Sequence, residues 1–478
     1  MTGTGTGRAA RAIALLSFAE VVGKVATLGL LVYAVRVLDP ATFGTFSYAL
    51  AYGALLAVLP AWGLDPLLVQ QVGRDRSRLP DQYAQLLVLR TALAVPVLLV
   101  GAVAGLGLRS GDGAGWAMVA MLVTAVAESY AHAPRAVAGV LREQSATALV
   151  LVVQRALTAA AACGALALGW GLVGLTTVYT VVTVGGTAVL FALVARRGGR
   201  PAWSGLRWRS LRSTSRASVP LGVDALIGML LLRAHTLLLG WFHGDREVAQ
   251  YTAPFRLVET VLFVTWAVSR VVYPSMASAS STRALRRTLS SGLSIVGFFF
   301  VPYAVLLAVR GYDLLDLLFG EYYADEGATA LVVLAAAPLA IGIGMLLSYA
   351  LVAHGRSDLA LWTSVIAGAA SLVADVFVLP ALAVEGAAIT TTAAYALEAV
   401  MLVVLIRRTI GAPGLGRALL LPAAATLPAA GAALLPIGVL PALAVAGVVY
   451  AAVWWVAARR WQPEEAAVLL QVLPRRRG

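Results

Sequence analysis

Long, predominantly apolar blocks recur from one end of the chain to the other, separated by short polar or arginine-bearing joints. A helix rising 1.5 Å per residue needs roughly 20 apolar residues to cross a hydrocarbon core of about 30 Å, so each block predicts a spanning helix. Spans are expected near 10–36, 43–72, 84–107, 115–139, 147–169, 171–195, 215–242, 250–274, 288–309, 327–353, 358–380, 384–407, 415–437 and 439–458. The expected fold class is all-α, a polytopic membrane bundle of about 14 transmembrane helices.

Composition agrees with this pattern. Hydrophobic residues fill 60% of 478 positions and charged ones 12%, too little polar surface to coat a soluble globule of this size. The net charge of +13 could suggest a nucleic-acid binder, but the arginines gather in the joints, where orientation signals belong, so no nucleic-acid partner is expected. Cys163 stands alone and His132, His235, His243 and His354 are scattered, which leaves no disulfide framework and no metal centre. Arg8 and Arg11 lead into an apolar run longer than a signal-peptide core, so the first block reads as a retained helix.

Alternate joints differ in charge. One set holds Arg8, Arg11, Arg74, Arg76, Arg78, Arg142, the cluster from Arg196 to Arg216, and later Arg283, Arg286, Arg287, Arg356, Arg407, Arg408, Arg417, Arg459 and Arg460. The other set holds Arg36, Arg109, Arg246 and Arg310 beside Asp39, Asp112, Asp245, Glu247, Asp313 and Glu321. The positive-inside rule then places both termini in the cytoplasm and supports an even number of helices.

An internal repeat is visible. The stretch from Ser145 to Gly174 and the stretch from Ser357 to Gly386 contain matching pairs of runs at the same separation, and Phe43–Ser47 matches Val248–Thr252. The expected organisation is a six-helix N-terminal lobe over 1–195, a basic cytoplasmic linker over 196–216, a pseudo-repeated six-helix lobe over 217–408, and two extra helices with a tail over 409–478. The last two helices carry no charge between Arg417 and Arg459, so they either face lipid beside a groove or serve as a peripheral anchor.

Charges within hydrocarbon cost several kcal/mol unless they face a cavity or a partner, which makes them the leading site candidates. Glu20 and Lys24 lie four apart on one face of the first helix and can neutralise each other. Arg256, Glu259, Trp266 and Arg270 form a charged stripe along one helix, suited to a wet cavity that attracts phosphate through the planar guanidinium. Glu128, His132 and Arg135 share a face, and another helix holds Asp224, Arg233 and His235. Substrate-binding candidates are Lys24, Arg256, Arg233, Arg270 and Trp266; ion-coupling candidates are Glu20, Glu259, Glu128 and Asp224. The competing reading for each is a structural ion pair or a snorkelling arginine. Asp65, before Pro66, reads as a break and cap, and Asp375 and Glu398 as a pair of their own. Tyr48, Tyr52, Trp62, Tyr251 and Trp266 could stack on sugars, or pack. Gly101 with Gly105, and Gly342 with Gly344, suggest close helix approach. No nucleophile elbow or phosphate loop is present, so no enzyme is expected.

Three stretches carry a family resemblance: Arg36–Ser47 with Trp62–Asp65; Leu239–Phe242 through Tyr251, Arg256 and Glu259 to Pro274; and His354–Arg356 through Glu385–Ala388. On these the chain resembles the polysaccharide flippases of the multidrug/oligosaccharidyl-lipid/polysaccharide exporter superfamily. The resemblance implies a two-lobed bundle that exposes a cationic cavity to each side in turn and carries an undecaprenyl-pyrophosphate-linked oligosaccharide. Arg256 and Glu259 also match a helix of the lipid II flippases, whereas Glu20 and Lys24 depart from their arginine-rich first helix, which favours an exporter of the O-antigen, capsule or teichuronic-acid type. The implied partners are the lipid-linked oligosaccharide, membrane lipids, and a polysaccharide polymerase with glycosyltransferases. A monomer is expected, with no cofactor beyond coupled H+ or Na+. A drug antiporter of the same superfamily and a polytopic polysaccharide polymerase or ligase are the alternatives; the short outer joints speak against the enzyme.

Overall fold

The computed structural model describes residues 23–108, 111, 113–141 and 143–461. Among them there is no strand. The helices are α1 (23–37), α2 (Pro40–Ala61), α3 (Leu64–Arg74), α4 (Leu79–Leu108), α5 (Ala114–Leu141), α6 (Gln144–Ala167), α7 (Gly171–Arg196) and α8 (Trp208–Phe242). They continue with α9 (Asp245–Ala277), α10 (Thr282–Phe319), α11 (Glu321–Leu334), α12 (Ala337–Ala353), α13 (Ser357–Thr409), α14 (Leu415–Ala433) and α15 (Val439–Trp461).

Eleven helical stretches among the described residues are long and apolar enough to span a membrane. The difference from the sequence reading has three sources. About half of the expected first span lies outside the described residues; α9 is diluted by six charged side chains; and the continuous stretch α13 holds two helices that meet at Ala383 and fold back on each other, bringing Ser364 to Glu398, so that the two expected spans 358–380 and 384–407 count as one stretch. The kink residue has φ 42° and ψ −116°, a conformation strained for alanine. In the internal repeat this position aligns with Gly171, which also has a positive φ of 56°.

The chain divides into two compact units, Met1–Ala249 and Gln250–Gly478. The sequence reading places its linker at 196–216; in the structure α8, beyond that joint, packs on α2 and falls in the first unit. That packing is close because small residues permit it. Just beyond the end of α8, at the first residue of α9, a Cβ on Gly44 of α2 would stand 1.6 Å from the Asp245 carbonyl oxygen, so only hydrogen fits there, and the Thr45 hydroxyl donates to Asp245 Oδ2 at 2.6 Å. Farther along, α2 stops at Trp62 and Gly63, both left-handed, and this turn is pressed against Leu221 and Gly222 of α8. The core of the first unit joins Leu64, Leu68 and Val72 of α3 to Tyr83 and Leu86 of α4 and Ala133 and Val137 of α5. Gly101 and Gly105 bring α4 against Leu122 and Met118 of α5, as their spacing predicts.

In the second unit, α9, α10, α12 and α13 share a core built around Val272, Leu289, Val296, Leu346 and Leu402. Gly342 lets Val296 and Phe300 approach, whereas Gly344 has room to spare. Helices α14 and α15 dock on α10: Phe298 meets Trp454 edge-on at 4.7 Å and its carbonyl accepts the Tyr450 hydroxyl at 2.7 Å. Arg310 closes the far end, donating to the carbonyls of Ala433 at 2.7 Å and Leu435 at 2.9 Å, groups left open where α14 ends.

Candidate functional site

The ionised side chains at membrane depth fall into sets that combine neighbouring helices. In the first unit Arg90 of α4 is fully buried and spends its guanidinium on three acceptors: Asp65 Oδ2 at 2.7 Å, the Ser129 carbonyl at 2.7 Å and the Pro60 carbonyl at 3.4 Å. The Pro60 oxygen is one of those left open by the α2–α3 break. Asp65 therefore does mark a break, but it is no cap: Gly63 occupies the N-cap position, and Asp65 sits in the first turn of α3 as the partner of Arg90.

A second set lies beside it. Arg155 of α6 forms an ion pair with Glu128 of α5 at 2.7 Å, and its other nitrogen reaches the Tyr179 hydroxyl of α7 at 3.4 Å. The pair retains 27% and 32% of its side-chain surface. Helix α1 touches this set, because a Cβ on Gly23 would come within 3.4 Å of Arg155 Cγ, and Lys24, half-buried, is the next residue along α1. Its expected partner Glu20 lies outside the described residues.

In the second unit Arg256 and Glu259 of α9 pair at 2.6 Å, each with 13% of its side-chain surface accessible. Tyr251, one turn earlier, is buried, stacked on Phe255, and shares a 2.8 Å hydrogen bond with Thr391 of α13. The stripe predicted along α9 thus divides: Arg256 and Glu259 are drawn together, while Trp266 and Arg270 are exposed. On α8, Asp224 is exposed, Arg233 half-buried and His235 buried. Glu398 accepts the Ser364 hydroxyl at 2.6 Å. Tyr48, Tyr52 and Tyr251 are buried among helices and pack, so they offer no face to a sugar.

Arg90 and Arg155 are not among the residues expected from the sequence, because their acidic partners come from other helices and no spacing of three or four along one helix reveals them. A lone arginine inside an apolar run was the available signal. Among the described residues no group of histidine, cysteine and acidic side chains could hold a metal ion.

A bundle of membrane-length helices with ionised pairs at depth defines a multi-pass membrane protein of transporter architecture. The family model described as "Polysaccharide biosynthesis protein" matches residues 9–280, and the chain belongs to that family. No curated protein matches it in sequence. Among solved structures it is similar to the lipid II flippase MurJ in an inward closed conformation, with a TM-score of 0.76 at 11% identity, covering 94% of this chain and 99% of that one. It is also similar to an inward-facing multidrug resistance MATE family transporter of the MOP superfamily, with a TM-score of 0.61 at 15% identity over 81% of this chain and 94% of that one. A third is a MOP superfamily transporter from Pyrococcus furiosus, with a TM-score of 0.60 at 15% identity over 84% and 96%. The fold is that of the MOP superfamily, as the sequence resemblance implies.

Proposed function

We propose that the chain is a flippase that moves an undecaprenyl-pyrophosphate-linked oligosaccharide from the inner to the outer leaflet of a bacterial cytoplasmic membrane by alternating access, coupled to H+ or Na+. The observation that carries this reading is the Arg155–Glu128 pair, held at membrane depth yet with about a third of its surface accessible. An ion pair facing hydrocarbon would be costly, which supports a wet space beside this pair that a charged head group could enter. In the first unit Lys24 and Arg155 are the cations for a pyrophosphate, and the second unit has a candidate of its own in Arg256. Glu128 and Glu259 hold these arginines while cargo is absent, and protonation or sodium binding at a carboxylate biases the two states. Membership of the polysaccharide biosynthesis family supports a glycan cargo over a drug.

The test is glycan surface display in a strain lacking the chain, complemented with Lys24→Ala, Arg155→Ala or Arg256→Ala. Each variant is expected to lose roughly tenfold or more of the display rate, as for loss of a charge-assisted hydrogen bond. Full display by well-expressed variants would remove those residues from the transport path. A drug antiporter would instead export lipophilic cations and leave glycan display untouched.

A further inference from the structure

The joint between α7 and α8 has a composition that the transport reading leaves unused. From Arg196 to Val223 there are seven arginines and no acidic residue. The segment is fixed in place: the Ala202 amide donates to the Pro80 carbonyl at 2.9 Å, and the Thr214 hydroxyl donates to Gln85 Oε1 at 2.8 Å in a buried contact. Both anchors lie at the start of α4, whose preceding joint carries the exposed Arg76 and Arg78.

The first turns of α8 have two faces. Thr214 and Ser218 are buried, whereas Arg209, Arg212 and Arg216 are exposed. At 100° per residue the three arginines fall within about 60° of one another, on the side away from the buried pair. Two tryptophans flank the stripe with most of their surface free: Trp203 is 56% exposed and Trp208 77%. Helix α8 has 35 residues and so runs roughly 50 Å, about 20 Å more than a hydrocarbon core, which puts its first turns at and beyond the headgroup layer. Trp241, at its opposite end, is also exposed, as expected for a second interfacial anchor.

An orientation signal requires only positive charge. It does not call for a rigidly docked arginine stripe bordered by free indoles. Guanidinium forks match phosphodiester oxygens, and indoles settle at the boundary of headgroup and acyl chain. We propose that this surface is a binding site for anionic phospholipid headgroups of the leaflet on the arginine-rich side, with Arg209, Arg212 and Arg216 taking the phosphates and Trp203 and Trp208 entering the interface.

The test reconstitutes the full chain in bilayers containing equal mole fractions of either acyl-brominated phosphatidylglycerol or acyl-brominated phosphatidylcholine. The signal of the two tryptophans is the difference between the wild-type chain and W203F/W208F. Phosphatidylglycerol is expected to quench that signal about twofold more than phosphatidylcholine, because each interfacial arginine enriches anionic lipid nearby. The advantage should shrink on raising salt from about 0.05 to about 0.5 M, a comparison that needs no charge variant. R209Q/R212Q/R216Q should abolish it and R209K/R212K/R216K should keep most of it. Equal quenching by the two lipids, or a preference unmoved by salt, overturns the proposal and leaves an acidic protein partner or orientation alone as the role of this segment.

Discussion

Arg90 illustrates how a single ionised side chain can hold a break in a membrane helix. Ending α2 at Trp62 and Gly63 exposes carbonyls to a low-dielectric interior, and one guanidinium covers the Pro60 oxygen while neutralising Asp65 beyond the break. Removing one member of a buried pair strands the other, a loss of about 3–5 kcal/mol. Arg90→Met is therefore expected to lower the thermal unfolding midpoint of the detergent-purified protein sharply, and Asp65→Asn on top of it should restore a substantial part. A double variant no more stable than Arg90→Met alone would contradict the pairing. Asp39, outside the membrane spans, gives a smaller effect of defined sign. The Thr42 hydroxyl and the amides of Thr42 and Ala41 hold its carboxyl below its ordinary value of 3.8. A depressed carboxylate contributes stability above its unfolded pKa and loses it as pH falls through the folded one. Asp39→Ala should cost about 1 kcal/mol near pH 7, as for a lost helix cap, with the gap to wild type closing in the acid range below 3.8.

Among the helices, apolar block length made most of the architecture legible. Expected spans at 84–107, 115–139, 147–169 and 171–195 correspond to α4, α5, α6 and α7 with a few residues' difference at the ends. What block length misses is where a helix breaks within an apolar run, since the left-handed turn at Trp62 and Gly63, inside the expected span 43–72, depends on what packs against it, whereas the break at Ala383 falls between the expected spans 358–380 and 384–407. The candidate site was half legible for the same reason. Arg256 and Glu259 are three apart on α9 and could be paired from spacing, whereas Glu128 and Arg155 meet only through the packing of α5 and α6 on α7. The close contact of α2 with the start of α9 makes Gly44 a sensitive position. Gly44→Val, meeting a backbone carbonyl, should force these elements apart and lower the unfolding midpoint more than Gly73→Val, whose Cβ meets open space. Equal effects at the two glycines would show that the contact is not formed.

For the whole molecule, the two units each carry a paired arginine and glutamate on membrane-depth helices, Arg155–Glu128 in one and Arg256–Glu259 in the other. We propose that these pairs are transport machinery, counter-ions that yield when a pyrophosphate arrives, since all four side chains keep accessible surface whereas the structural Arg90 keeps none. The most direct measurement uses liposomes holding the purified chain and a lipid-linked oligosaccharide with a fluorescent sugar, and follows how much label a membrane-impermeant reductant can reach over time. The wild-type chain should raise the accessible fraction well beyond that of protein-free liposomes, and the Arg155→Ala/Arg256→Ala variant, folded and equally incorporated, should not. Transfer by that variant at the wild-type rate, or none by a folded wild-type chain, would contradict the account.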